Sequence, residues 1–242
     1  MSSNYFYHCE NLKMIDKAIQ TLQRTLRQYI AIDDEKNVYI YTKILSHLIN
    51  SWVDVRILKL IYEFNAFNES EINSLISCKI LKDKWLLALD FAFIKAYKIS
   101  NIKNIDNPTV PYTARIMRKS LVDIISDDLL ESTQVRNRIA HGQWKYAFNN
   151  ELTKINENIM RILKEENIIK LQLKLKMFKS LSQIIHDLAV SKPTFERDFD
   201  NNYRIIEEQK RNFHNRRYDD YKYKMIQKKQ KGLRLRSRAH VD

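Results

Sequence analysis

Only two glycines and three prolines interrupt a chain of 242 residues. Turn-rich sheets draw heavily on these two residue types, so their scarcity disfavours such sheets and favours long helices. Apolar residues make up 44% of the chain, enough for a sizeable core. The length suits one large helical domain, or one such domain with an extension.

The apolar spacing agrees. Leu12, Ile15, Ile19, Leu22, Leu26, Tyr29 and Ile30 recur at three- and four-residue steps, which predicts an amphipathic helix of about twenty residues. Asp33, Asp34 and Glu35 open a second helix, where acids complement the helix dipole, and it is expected to run through Trp52 to about Asn65. Antiparallel packing of these two buries both stripes. Helices are also expected over Glu69 to Ser77, Asp83 to Ile99 and Tyr112 to Ile125, with an internal break from Asn101 to Pro111 that contains Pro108. Ile169, Leu171, Leu173, Leu175 and Met177 alternate as a strand would, while Ile168, Leu171, Leu175 and Phe178 fit a helix. Lys, Leu, Gln and Met favour helix, so one long helix from about Asn150 to Val190 is expected. Ser191 to Thr194 reads as a joint with Thr194 as N-cap. Trp52 and Trp85 are assigned to the core, and His47 and His186 to structural roles inside amphipathic helices.

One short segment carries chemistry: Gln134-Val135-Arg136-Asn137-Arg138-Ile139-Ala140-His141-Gly142-Gln143. Asp128 and Glu131 have capping-box spacing, so its helix is expected to start near Asp128. Val135 and Ile139 supply an apolar face, and Gly142 suits a left-handed C-terminal cap. On a regular helix Asn137 and His141 share a face about 40° apart, whereas Arg136 lies about 140° round from His141. A histidine titrates near neutrality and serves as base or acid, and an arginine offers forked, permanently charged donors to a phosphate. The alternative role for these groups is packing, with His141 donating to a carbonyl and Arg136 pairing with a surface carboxylate. A second Arg-to-His spacing, Arg234 to His240, lacks any apolar frame and reads as chance.

Arg136-Asn137-x-x-x-His141-Gly142, at a helix end in an all-helical chain, resembles the signature of the HEPN superfamily. The motif spans about ten residues, and the helical pattern from Asn11 to Leu163 agrees with the family without being specific to it. The resemblance implies an antiparallel helical bundle and a metal-independent, dimeric endoribonuclease with Arg136, Asn137 and His141 as its active-site residues. It also implies the setting of a toxin or antiphage-defence effector restrained by a cognate protein. Many members of that superfamily are inactive scaffolds or binding modules.

The C-terminal part adds a polyanion signal. From Lys210 to Arg238 twelve Lys and Arg face only Asp219 and Asp220, a net of +10 out of the chain's +13. Such a segment binds phosphate chains in a salt-sensitive, sequence-blind manner, and the interleaved Tyr203, Phe213, Tyr218, Tyr221 and Tyr223 can stack on bases. RNA contacts are therefore expected from Lys210, Arg211, Arg216, Arg217, Lys222, Lys224, Lys228 and Lys229, and beside the motif from Arg138 and Trp144. Trp144 and Tyr146 either stack on an unpaired base or anchor the next helix to the core. The other use of the basic segment is a solvated helix that aids solubility or meets an acidic protein.

The expected architecture is an all-α, HEPN-like antiparallel bundle over 1–190, with a long helical, basic C-terminal extension over 191–242. Cys9 and Cys78 lack metal-ligand spacing, so no metal or cofactor is expected, and both read as reduced thiols. The start has no basic-then-apolar leader and no apolar run approaches 18 residues, which reads as a cytoplasmic protein without a membrane partner. Two functions follow: a homodimeric RNA-cleaving enzyme, or a non-catalytic helical RNA-binding or complex-assembly subunit that uses the basic segment.

Overall fold

The computed structural model describes residues 3–105, 107 and 110–238. All of its regular elements are helices, and the expected all-α class is what the chain adopts. Helix α1 (Ser3–Ala31) turns back through Ile32 to Asp34 into α2 (Glu35–Ile61). Asp34 caps α2, its carboxylate accepting from the Asn37 amide at 3.1 Å. α1 begins earlier than its aliphatic stripe suggests, because its first turns pack through aromatic and polar groups. His8 stacks on Tyr62 with ring centroids 5.4 Å apart, and the Lys59 ammonium lies over the Tyr5 ring.

Helix α3 (Glu69–Ser77) carries a capping box made by Asn68 and Glu71, and α4 (Leu81–Tyr97) buries Trp85, Ala88, Leu89, Ala92 and Phe93 in the core. Trp52 joins them, as expected. Pro108, in the expected break, lies outside the described residues, as does His240.

The start of the motif helix differs from expectation. Helix α5 (Tyr112–Ile124) passes through a single π turn, Ile125–Leu129, straight into α6 (Leu130–Ala140). Asp128 sits inside this continuous rod, so it caps nothing; its carboxylate instead meets Lys210 at 2.7 Å.

The expected long helix from Asn150 to Val190 is also corrected. Residues 143–156 form an irregular excursion closed by an antiparallel bridge between Phe148 and Ile155. Helix α7 (Glu157–Glu165) then gives way at Glu166 and Asn167 to α8 (Ile168–Val190). Asparagines set these boundaries: Asn156 accepts from the Ile159 amide, and Asn167 from the amides of Ile169 and Lys170, each at 3.0–3.1 Å. α8 is helical as chosen, and it buries Leu171, Leu173, Leu175 and Met177 together with Ile168 and Phe178. A helix buried on nearly every side has no single stripe, which explains its ambiguous spacing.

Helix α9 (Lys192–Asn215) is capped by Ser191, not Thr194: Ser191 Oγ accepts from the Thr194 amide, and Pro193 occupies the first turn. α9 folds back along α8 and places Phe195, Phe199 and Ile206 in the main core. Position 190/191 is therefore a joint between two core helices, not an edge of the core. After Arg216 and Arg217, helix α10 (Tyr218–Arg238) lies against α1. Among the described residues no helix is long and apolar enough to cross a membrane.

Candidate active site at the end of the motif helix

Val135 and Ile139 of α6 pack onto a small cluster with Ala147, Ile159, Met160 and Leu163. This cluster fixes the helix end against α7 and the excursion before it. At the tip, Gly142 takes φ +75°, and its amide donates to the Ile139 carbonyl at 3.1 Å while the Gln143 amide donates to the Arg138 carbonyl at 2.9 Å. These paired bonds form the Schellman closure anticipated from Gly142, and the Trp144 indole adds a bond to the Ile139 carbonyl at 2.9 Å. A Cβ on Gly142 would meet nothing within 4 Å, so the conformation alone demands glycine. Gly142→Ala should therefore cost about 1–2 kcal/mol from backbone strain, measurable by chemical denaturation, with Gly142→Asn milder because Asn tolerates this region.

His141 and Asn137 are exposed on this capped end. Arg136 points elsewhere: its side chain is 24% exposed, and Nη2 donates to Asp54 of α2 at 2.8 Å. Nε of the same guanidinium is buried without a hydrogen bond. The Tyr39 hydroxyl donates to the Trp144 carbonyl. With Arg136 against Asp54 and Trp144 against Tyr39, α6 runs antiparallel to α2.

Two α2 residues join the site that the sequence reading assigned to other roles or passed over. His47 stands two turns before Asp54 on the same face, half-buried, with Nδ1 lacking a hydrogen bond. Burial lowers its pKa, the Arg136 charge adds to that, and Asp54 opposes it. Burial holds the Asp54 carboxyl above the usual range, opposed by Arg136. The i, i+7 spacing of His47 and Asp54 was visible in the sequence, but only the pairing of α2 with α6 gives it meaning.

The residues expected to touch RNA divide into two groups. Trp144 is an anchor, half-buried with its indole N–H and its carbonyl both bonded within the fold, whereas Tyr146 is 50% exposed beside Lys145. Arg138 donates to the Asn150 side chain at 2.8 Å. Lys210 is held by Asp128, and Lys222 bridges Asp33 and Glu35 at the α1–α2 turn; hydrogen bonds to those two carboxylates raise the Lys222 pKa. Arg211, Arg216, Arg217, Lys224, Lys228 and Lys229 are exposed. Of the cations expected to meet RNA, those left exposed thus lie at the α9–α10 junction and along α10.

Among the described residues no group of three or more His, Cys, Asp or Glu side chains is placed to hold a metal ion, and Cys9 and Cys78 are free thiols. No protein-family model matches the chain, and no curated protein or solved structure matches it either.

Proposed function

We propose that this chain is a metal-independent endoribonuclease of the HEPN type, acting as a homodimer with His141, Arg136 and Asn137 in a composite cleft. The observation that carries the reading is an exposed imidazole on a rigidly capped helix end, one and a half turns from a half-buried guanidinium. In the reaction a base removes the proton from a ribose 2′-hydroxyl, and that oxygen forms a bond to the adjacent phosphorus. The bond from phosphorus to the 5′-oxygen breaks, and an acid returns a proton to that oxygen. His141 serves one proton transfer, and His141 of a second copy serves the other. Arg136 stabilises the charge on the phosphorane oxygens, and Asn137 orients the phosphate. A two-fold axis that apposes two α6 ends brings both sets together. The toxin or antiphage-defence setting, with a cognate restraining protein, rests on the sequence resemblance alone.

A second reading draws on the Arg136–Asp54 bond, which engages part of the guanidinium within the fold. In that reading the chain is a non-catalytic RNA-binding or complex-assembly subunit. Purified protein incubated with total RNA in EDTA separates the two. Cleavage that persists in EDTA supports the nuclease, and RNA retained intact on the protein supports the subunit.

Both readings assign the same work to the tail. Neutralising Arg216, Arg217, Lys224, Lys228 and Lys229 together should flatten the salt dependence of single-stranded RNA binding, by a slope of about 0.7 for each phosphate that the chain then leaves to its counterions. Binding isotherms over a range of salt concentrations check this, and an unchanged slope would place the RNA on another face.

A further inference from the structure

The excursion between α6 and α7, residues 143–156, is tied down at its tip and at its base. The Asn149 carboxamide oxygen accepts from the amides of Thr153 and Lys154 at 2.9 and 3.2 Å, which folds the tip. Below it the Asn149 amide donates to the Lys154 carbonyl, and the Asn156 amide to the Ala147 carbonyl, both at 2.8 Å. Ala147 is buried in the small cluster under α6, so the excursion is held by the helix that carries His141.

At the tip stands Leu152, with φ +58° and 63% exposed. The left-handed region crowds a Cβ, and a bulky apolar side chain facing water recovers none of that strain. The other residues described at positive φ are Asp33, Asn65, Lys98 and Gly142, each polar or glycine. Leu152 therefore combines backbone strain with apolar exposure, and both are explained by a surface that it meets. Tyr146 and Ile155, also exposed, stand within six residues of it.

The charge of the segment selects the partner. Over 143–157 the exposed Lys145 and Lys154 are matched by the exposed Glu151 and Glu157, a neutral stretch in a chain of +13. A phosphate chain gains little from such a surface, and so does a strongly acidic protein. A second copy of the same segment, related by a two-fold axis, sets Glu151 at one tip beside Lys145 at the other base. Residues 137–158 supply roughly twenty residues a side, the scale of a standard interface.

We propose that two copies of this chain associate excursion against excursion, with Leu152, Tyr146 and Ile155 as the apolar contact and Glu151 of each copy paired with Lys145 of the other. This contact deepens the two-copy part of the proposed nuclease and does not depend on its chemistry. Each excursion follows directly from α6, so pairing them carries two His141 ends toward one axis.

Sedimentation velocity of the full chain over a wide concentration range, without RNA, tests the contact. The wild type should reach a dimer. Leu152→Asn should weaken it by about tenfold or more, yet at concentrations where both are monomers it should unfold no more readily than the wild type, because Asn accepts positive φ. Glu151→Lys and Lys145→Glu should each weaken the dimer, and the double exchange should restore it. A chain that stays monomeric, a dimer indifferent to Leu152→Asn, or a double exchange as weak as the singles would overturn the proposal. So would a Leu152→Asn protein that keeps its dimer and loses affinity for RNA, since the tip would then belong to RNA. A dimer with the expected variant behaviour that leaves RNA uncut in EDTA would uphold the contact and remove the nuclease reading alone.

Discussion

His141→Ala should abolish EDTA-resistant RNA cleavage, with a loss of at least about 10²–10⁴-fold, while the folded protein melts as the wild type does. The imidazole is exposed beyond the last turn of α6, so its removal leaves no cavity and no unpaired buried group. Arg136→Ala should cost about 10²–10³-fold through the missing charge on the phosphorane, and it should also lower stability. That change strands Asp54, a carboxylate whose burial already disfavours its charge and which Arg136 now balances. Asp54→Asn separates the two effects, because it breaks the ion pair while leaving the guanidinium in place. Retained cleavage in Asp54→Asn, with cleavage abolished in Arg136→Ala, assigns the arginine to the chemistry. Equal losses in the two would assign it to the fold, and wild-type rates in His141→Ala would remove the site altogether. Single-turnover rates on a defined RNA, alongside thermal melts, supply both readouts.

Glu166→Gln should be the most damaging single change to stability, at about 3–5 kcal/mol, because it leaves buried charges uncompensated. Glu166 sits at the break between α7 and α8, with its side chain 2% exposed. Its carboxylate accepts from Ser46 Oγ at 3.0 Å and faces the ammonium groups of Lys43 and Lys174 at 3.9 and 3.8 Å. Lys43 is itself 1% exposed and donates to the Leu163 carbonyl; burial lowers its pKa, Glu166 opposes that, and Lys174 adds to it. An amide in place of the carboxylate removes the anion that Lys43 faces and leaves Lys174 with Glu131 alone, at 3.5 Å. Pairing Glu166→Gln with Lys174→Met removes one of those charges, so the double variant should recover part of the loss. Denaturant titrations of the four proteins give the coupling, and purely additive losses would mean that Glu166 does not balance Lys174.

The parts legible in the sequence were those fixed by local rules. The α1 and α2 stripes, the acids opening α2, the α3 boundaries and the Gly142 cap all follow from spacing and backbone preference. The breaks at Asn156 and Asn167 were missed because this chain also carries asparagines inside its helices, Asn50, Asn73 and Asn137 among them, so that only an N–H to Oδ1 bond marks one as a cap. The helical start placed at Asp128 failed for the opposite reason. The local capping spacing is present, but α5 already continues through it, and Lys210 from a helix distant in sequence takes the carboxylate. The capped helix end that carries His141 in the candidate site could be read from ten residues. The end that carries His47 and Asp54 could not, since neither has a distinguishing neighbour along the chain.

The π turn at Ile125–Leu129 makes the orientation of the Arg136 face a matter of chain length. Its wider loop takes up about one extra residue, roughly 100° of rotation relative to an uninterrupted α-helix. Point substitutions in that turn leave the residue count intact, whereas excising a single residue would swing the guanidinium away from α2. Divergence by insertion and deletion is therefore far more hazardous to this rod than divergence by replacement.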